Sequence, residues 1–246
     1  MSQIRIFRDS RALANAAAEL FIQLAEQSIR DRGRFSAALS GGNTPRALYQ
    51  VLADTENQAC LDWANIHLFL GDERHVPPYH KESNYHMVSE TLLDRITIPE
   101  ENVHRVPAEM EECAAALSYE KILRDFFTGQ WPRFDLILLG MGEDGHTASL
   151  FPQSKGLKEE ERWFIPNYAP KQEKMRLTLT TNAINAAKNI AVLVSGVSKA
   201  GILAEVLREP DDLVDTPIQM IMPRDGDMIW FLDDQSATQL TYKRRS

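Results

Sequence analysis

The residues best suited to chemistry lie in the stretch FDLILLGMGEDGHTASLFP, residues 134–152. Asp144 stands two positions before His146 on a glycine-rich loop that directly follows an apolar run. At this spacing the carboxylate can bond to one imidazole nitrogen and fix its tautomer, which leaves the other nitrogen free to take a proton from water. The pattern predicts that His146 is a general base oriented by Asp144, in preference to a structural histidine.

The same stretch also contains the G-x-G-x-x-G spacing of a dinucleotide-binding turn, at residues 140–145. That function requires a long helix facing the pyrophosphate and an acidic residue about 20 positions further on for the ribose. Pro152 ends any helix soon after the last glycine, and Glu143 and Asp144 would bring negative charge to the phosphates. The context therefore argues against an NAD site.

A second candidate site is the stretch SGGNTPRALY, which follows another apolar run. Pro45 suits the first turn of a helix, so the backbone N–H groups of Gly42, Asn43 and Thr44 can face an oxyanion at the helix N-terminus. The pattern predicts a phosphate cradle. A plain strand-to-helix turn capped by Thr44 explains this segment equally well.

Two cations also occupy positions at the ends of apolar runs. Arg74, in GDERHVP, can bind a phosphate or a sugar hydroxyl with its guanidinium, oriented by a neighbouring acid such as Asp72 or Glu73. Lys199, in SGVSKAG, falls in the first turn of a predicted helix, where a bound anion would offset its unfavourable position. The alternatives are an ordinary surface ion pair for Arg74 and a solvated lysine for Lys199.

Other catalytic classes find little support in the sequence. His75, His80 and His86 match no zinc-ligand spacing, and a G-x-S-x-G nucleophile turn is absent. Cys60 and Cys113 are far apart and form no C-x-x-C motif, which suits a reducing compartment. We therefore expect a metal-free enzyme that uses water or a proton transfer on a small phosphorylated carbonyl compound.

The composition limits the possible partners. The chain has 246 residues, with 27 Lys plus Arg against 35 Asp plus Glu and a formal net charge of -8. It lacks the basic surface that binding to nucleic acid or to an anionic membrane requires. Neither a secretory signal nor an apolar run long enough to span a bilayer is evident. We therefore expect a soluble, cytoplasmic protein.

The elements that must position these residues follow from apolar patterning. Short, nearly continuous apolar runs of the kind found in parallel sheets occur at 34–40, 66–71, 134–140, 190–196 and 227–233. Helical patterns separate them, which predicts one α/β domain over residues 1–246 with a doubly wound, mainly parallel sheet and helices on both faces. The charged segment 153–174 is expected to contain loops that partly cover a site. Ligands of such folds bind beyond the carboxyl ends of the strands.

Several of these motifs, in this order, resemble the 6-phosphogluconolactonase family. The resemblance rests on SGGNTPRALY, GDERHVP with SNYHM, LILLGMGEDGHTASLFP, MRLTLT, AINAAKNIAVLVSG and the closing WFLDDQSA, and it covers nearly the whole chain. It implies the fold shared with glucosamine-6-phosphate deaminase and ribose-5-phosphate isomerase. It also implies hydrolysis of 6-phosphoglucono-δ-lactone in the oxidative pentose phosphate pathway, without a cofactor.

The resemblance assigns roles to individual residues. His146 would activate water against the C1 carbonyl, with Asp144 holding its imidazole. Arg74, Lys199 and the loop from Gly42 to Thr44 would hold the phosphate and the sugar and help to neutralise the oxyanion. Arg176, in MRLTLT, matches a family arginine. Asn43 and the GVSK spelling depart from forms found in many relatives, and this affects the detailed phosphate contacts.

Two other functions compete with lactone hydrolysis. The deaminase and isomerase branch typically has Asp-Glu-Tyr where this chain has GDER ending in Arg74, and a glutamate where this chain has Phe151. A ring-opening proton shuttle needs that second acid, so the sequence favours the lactonase. A sugar-phosphate-binding protein without catalysis is the third possibility, disfavoured because Asp144 and His146 are both present.

Overall fold

The computed structural model describes residues 2–208 and 213–240. Its strands are β1 Ser2–Phe7, β2 Phe35–Leu39, β3 Ile66–Leu70, β4 Asp72–Arg74, β5 Val103–His104, β6 Leu136–Gly140, β7 Phe164–Ala169, β8 Lys174–Leu179, β9 Asn189–Val194 and β10 Asp227–Asp233. Its helices are α1 Ser10–Arg32, α2 Asn43–Leu52, α3 Thr55–Gln58, α4 Asn84–Thr91, α5 Glu112–Phe126, α6 Thr181–Ile184 and α7 Ala200–Val206.

Seven strands form one parallel sheet in the order β1, β10, β9, β6, β2, β3, β5. β2 and β6 are neighbours, but the chain leaves β2 toward β3 on one side and leaves β6 toward β9 on the other. Loops that follow adjacent strands in opposite directions open a crevice at this point, which is where doubly wound folds bind ligands. The predicted doubly wound α/β fold is confirmed.

A smaller antiparallel sheet, in the order β4, β8, β7, lies beyond the carboxyl end of β3. Strand β7 lies within the charged segment 153–174, and its first two residues are buried. Apart from β7 and from Lys174, which begins β8, the segment consists of loop and a short 3-10 turn, in agreement with the loops that the sequence predicted there.

The core forms where apolar strands meet apolar helix faces. All five residues of β2 are buried, as a strand covered on both faces requires. Helix α1 begins after Asp9, which accepts a hydrogen bond from the Ala12 N–H at 2.8 Å, and ends at Gly33 in the left-handed conformation (φ +76°). Its residue Phe21 packs edge-to-face on Phe35 of β2, with ring centroids 5.1 Å apart.

No helix within residues 2–208 and 213–240 is long and apolar enough to cross a membrane. The prediction of a single domain over residues 1–246 stays a prediction.

Candidate active site

A cleft of about 430 Å³ opens beyond the carboxyl ends of β2, β6 and β9. Its lining includes six of the eight predicted site residues: Gly42, Asn43, Thr44, Arg74, His146 and Lys199. The other two, Asp144 and Arg176, contact or neighbour lining residues, as described below. Strand order explains this convergence, because parallel strands deliver their following loops to one edge of the sheet.

The Asp144 and His146 side chains form the predicted pair. The Asp144 Oδ1 lies 2.5 Å from the His146 Nδ1, and the same oxygen accepts the His146 backbone N–H at 3.3 Å. Hydrogen bonding from His146 holds the pKa of the Asp144 carboxyl well below its usual range, so the carboxylate stays ionised. Nδ1 is thereby occupied, and Nε2 is the nitrogen left for proton transfer. Phe151 packs against the imidazole, with ring centroids 4.9 Å apart.

The glycines of this loop have a packing role rather than a nucleotide-binding one. A Cβ on Gly142 would lie 2.0 Å from the His146 Nδ1 and 2.8 Å from the Asp144 Oδ1, so only glycine leaves room for the pair. Gly145 has a positive φ of +75° and packs against Thr216. The residues after Gly145 form a tight turn between Thr147 and Leu150 instead of a helix. This geometry agrees with the argument against NAD.

The turn after β2 leads directly into helix α2 at the edge of the cleft. Helix α2 begins at Asn43, and Gly42 before it adopts a φ of +102°. The N-cap position is Gly42, which has no side chain to cap the helix, and Thr44 lies inside the first turn, so the alternative of a turn capped by Thr44 is not supported. The buried Tyr49 hydroxyl holds the start of the turn, because it accepts the Ser40 N–H at 3.0 Å and donates to the Ser40 carbonyl at 2.8 Å.

Arg74 lines the cleft, but an acid does not orient it as the sequence predicted. Its Nη1 donates to the Glu82 carbonyl at 2.5 Å. Glu73 instead points inward, 1% exposed, and accepts the backbone N–H groups of Asn84 (2.6 Å) and Tyr85 (2.8 Å) at the start of α4. Burial raises the pKa of Glu73. Its carboxylate therefore caps a helix, a role hidden in the sequence because the capped residues lie eleven and twelve positions away.

Asp72 and Asn84 form part of the cleft floor beside Arg74. Asp72 accepts from the Ser149 Oγ at 2.6 Å and from the Asn84 Nδ2 at 3.2 Å. The Asn84 side chain packs directly against Gly41, because a Cβ on Gly41 would lie 1.9 Å from the Asn84 Oδ1. Position 41 therefore requires glycine, because a larger residue would collide with the Asn84 side chain.

Arg176 stands opposite Arg74 in the register of β4 and β8. It is not among the residues that line the cleft, and its predicted role in substrate binding stays a prediction. Burial and the charge of Arg74 both lower the pKa of Arg176. Two adjacent guanidinium groups concentrate positive charge on this wall, which favours an anion there.

Lys199 lies at the end of a 3-10 turn over Val197–Lys199 and directly precedes α7. Its side chain is 23% exposed, and its Nζ lies 3.9 Å from a Glu143 carboxylate oxygen across the cleft. Ser198 of the same turn also lines the cleft, as does Ser195, two residues before the 3-10 turn. Lys199 therefore faces Arg74 and the α2 turn across a shared space.

The sequence analysis missed one charged contact to the Asp144–His146 pair. The Lys171 Nζ lies 3.2 Å from the second oxygen of Asp144. Lys171 belongs to the turn between β7 and β8, which connects those two antiparallel strands. Nothing local to Lys171 signals this contact. Among the described residues, no group of His, Cys, Asp and Glu side chains could hold a metal ion.

Comparison with known proteins supports the architecture and the motifs. The family model for glucosamine-6-phosphate isomerases/6-phosphogluconolactonase matches residues 8–230. The chain is 37% identical to the 6-phosphogluconolactonase of Nostoc sp. over 97% of this chain and 98% of the relative. It is 42% identical to the 6-phosphogluconolactonase of Synechocystis sp. over 87% of this chain and 88% of that one.

A solved structure leads to the same family. The 6-phosphogluconolactonase of Trypanosoma cruzi superposes with a TM-score of 0.84 at 29% identity, covering 98% of each chain. Sequence and fold therefore agree over nearly the whole length. The chain belongs to the glucosamine-6-phosphate isomerase/6-phosphogluconolactonase family.

Proposed function

We propose that this chain hydrolyses 6-phosphoglucono-1,5-lactone to 6-phosphogluconate, as its named relatives do, with His146 as the general base. The observation that carries the proposal is the Asp144–His146 pair at 2.5 Å in a cleft whose walls bear Arg74 and Lys199. A base and cations in one cleft suit attack of water on the carbonyl of a phosphorylated ester.

In the proposed reaction the His146 Nε2 takes a proton from water as the water oxygen bonds to C1 of the lactone. The resulting tetrahedral oxyanion collapses, and the bond from C1 to the ring oxygen breaks. The imidazolium returns its proton to the ring oxygen, which becomes a hydroxyl, and the new carboxylic acid ionises. Asp144 stabilises the imidazolium through Nδ1 and keeps the ring oriented throughout.

The cations and the α2 turn hold the substrate in this scheme. Arg74, Lys199 and the N–H groups from Gly42 to Thr44 bind the phosphate and the sugar and offset the oxyanion charge. Arg176 contributes through its charge behind Arg74. We propose a small-molecule substrate, no nucleic acid partner, a cytoplasmic location and one domain over residues 1–246.

The deaminase reaction would need an acidic side chain at position 151, which this chain does not have. Phe151, which packs against His146, occupies the position where that branch typically has a glutamate. A phenyl ring cannot relay the proton that opens the sugar ring.

The test is the decay of freshly generated 6-phosphoglucono-1,5-lactone, measured against spontaneous hydrolysis in buffer. We expect the wild-type protein to accelerate the decay and His146→Ala to lower kcat by at least about a hundredfold. His86→Ala is the matched control, because His86 lies on α4 beside Glu90 and outside the cleft lining. An inactive, folded wild-type protein would refute the lactonase, and ammonia release from glucosamine 6-phosphate would establish the deaminase. Binding of 6-phosphogluconate without turnover would indicate a binding protein.

A further inference from the structure

The closing motif WFLDDQSA has no role in the chemistry above, yet its Asp233 is a buried carboxylate next to the cleft. Asp233 ends β10, is 3% exposed, and lies beside the turn that follows β9. Isolated buried carboxylates are costly, so this one must be compensated by specific contacts. Those contacts identify what it does.

We propose that Asp233 is a positioning residue that fixes the turn Ser195–Lys199 and thereby the site of Lys199 in the cleft. The inference rests on the proposed function, since it assumes that Lys199 and its turn hold the phosphorylated substrate.

Three groups donate hydrogen bonds to the Asp233 carboxylate. The Ser195 Oγ donates to Oδ2 at 2.6 Å, and the Gly196 N–H lies 3.1 Å from both carboxylate oxygens. The Ser236 N–H donates to Oδ1 at 2.8 Å, and the Ser236 Oγ donates to the Val194 carbonyl at 3.0 Å. The motif therefore fastens the end of β9 and the first two residues of the turn to the end of β10.

The turn needs such support. Gly196 adopts a φ of +98°, and the space where a Cβ would lie is open, so no side chain packs against this face of the turn. Val197, the next residue, is 68% exposed. The hydrogen bonds from Ser195 and Gly196 to Asp233 therefore fix the point at which the turn enters the cleft.

The Asp233 carboxylate has two opposite effects on the binding of an anion beside Lys199: its hydrogen bonds position the turn, and its negative charge repels the anion. Although burial alone would raise it, the hydrogen bonds from Ser195, Ser236 and Gly196 hold the pKa of Asp233 below its usual value. The carboxylate is therefore negative, and a negative charge behind an anion-binding turn weakens the binding of phosphate. If only charge mattered, removing it would tighten binding. If the contacts position Lys199, removing them weakens binding.

The experiment compares Asp233→Asn with wild type and with Asp227→Asn. Asp227 starts the same strand, at the opposite end of the sheet, and is exposed, so its substitution removes the same charge without touching the turn. For Asp233→Asn we expect KM for the lactone and Kd for 6-phosphogluconate to rise about tenfold or more, because bonds to a charged acceptor are lost. We expect kcat to fall by a smaller factor than KM rises, and Asp227→Asn to match wild type in all three constants.

Equal or tighter binding of 6-phosphogluconate by Asp233→Asn would overturn the proposal, as would a loss confined to kcat, which a smaller folded fraction alone would produce. Amide hydrogen exchange in the wild-type protein provides a second test that needs neither the variant nor turnover. We expect slow exchange at Gly196 and fast exchange at the exposed Val197. Equally fast exchange at both would overturn the proposal. If wild type exchanges as expected but does not hydrolyse the lactone, the proposed function fails and the role of Asp233 in holding the turn stands.

Discussion

The substitution Gly142→Ala tests the geometry of the base without altering any group that does chemistry. The added Cβ would lie 2.0 Å from the His146 Nδ1, 2.2 Å from its Cε1 and 2.8 Å from the Asp144 Oδ1. Ordinary carbon contacts start near 3.4 Å, so the imidazole must move by about an ångström or more. The 2.5 Å bond between Asp144 and His146 cannot survive that shift.

The expected loss follows from how steeply catalysis depends on position. A displacement of about 1 Å in a catalytic group costs roughly a hundredfold in rate, so we expect kcat for the lactone to fall about a hundredfold. KM should change much less, because Gly142 carries none of the proposed phosphate contacts. Steady-state kinetics against the spontaneous background would measure both constants.

Gly201→Ala is the matched control for this prediction. Gly201 lies in α7, and a Cβ there would have its nearest contact at 3.9 Å, with Gln239. Alanine suits a helix better than glycine, so this variant should retain wild-type kcat and stability. Wild-type kcat in Gly142→Ala, with the loop still folded, would refute the idea that the geometry of the Asp144–His146 pair controls the rate.

Two further predictions concern pH. Lys171→Met should raise the pKa of the Asp144 carboxyl, because the ion pair with the Lys171 Nζ is lost, and an NMR titration of that carboxyl would measure the rise; Lys174→Met, in the same hairpin but paired with Glu82, should leave it in place. Burial lowers the pKa of His104 to about 4. Between pH 6.5 and pH 4 the unfolded chain therefore binds more protons than the folded chain, and the free energy of unfolding should fall as the pH is lowered through this window. Allowing for partial exposure, we expect a loss of about 1 kcal/mol by urea unfolding, reduced in His104→Phe; an unchanged loss in that variant would contradict the assignment.

Much of the fold was predictable because the signals are local. Five of the seven strands of the parallel sheet are short apolar runs between amphipathic segments, a pattern that only a buried parallel sheet explains well. The other two strands were not predicted, for physical reasons. β1 is an edge strand with alternating polarity, and β5 has only two residues.

The sequence by itself determined which residues could do chemistry at the strand ends, because a motif such as EDGH brings acid and base together within one loop. Tertiary structure decided every contact between distant segments. It placed Lys171 against Asp144, turned Glu73 inward as a helix cap, set Arg176 opposite Arg74, and joined Asp233 to the turn that carries Lys199. These depend on strand order and register, which arise from packing over the whole chain and leave no mark at the residues themselves.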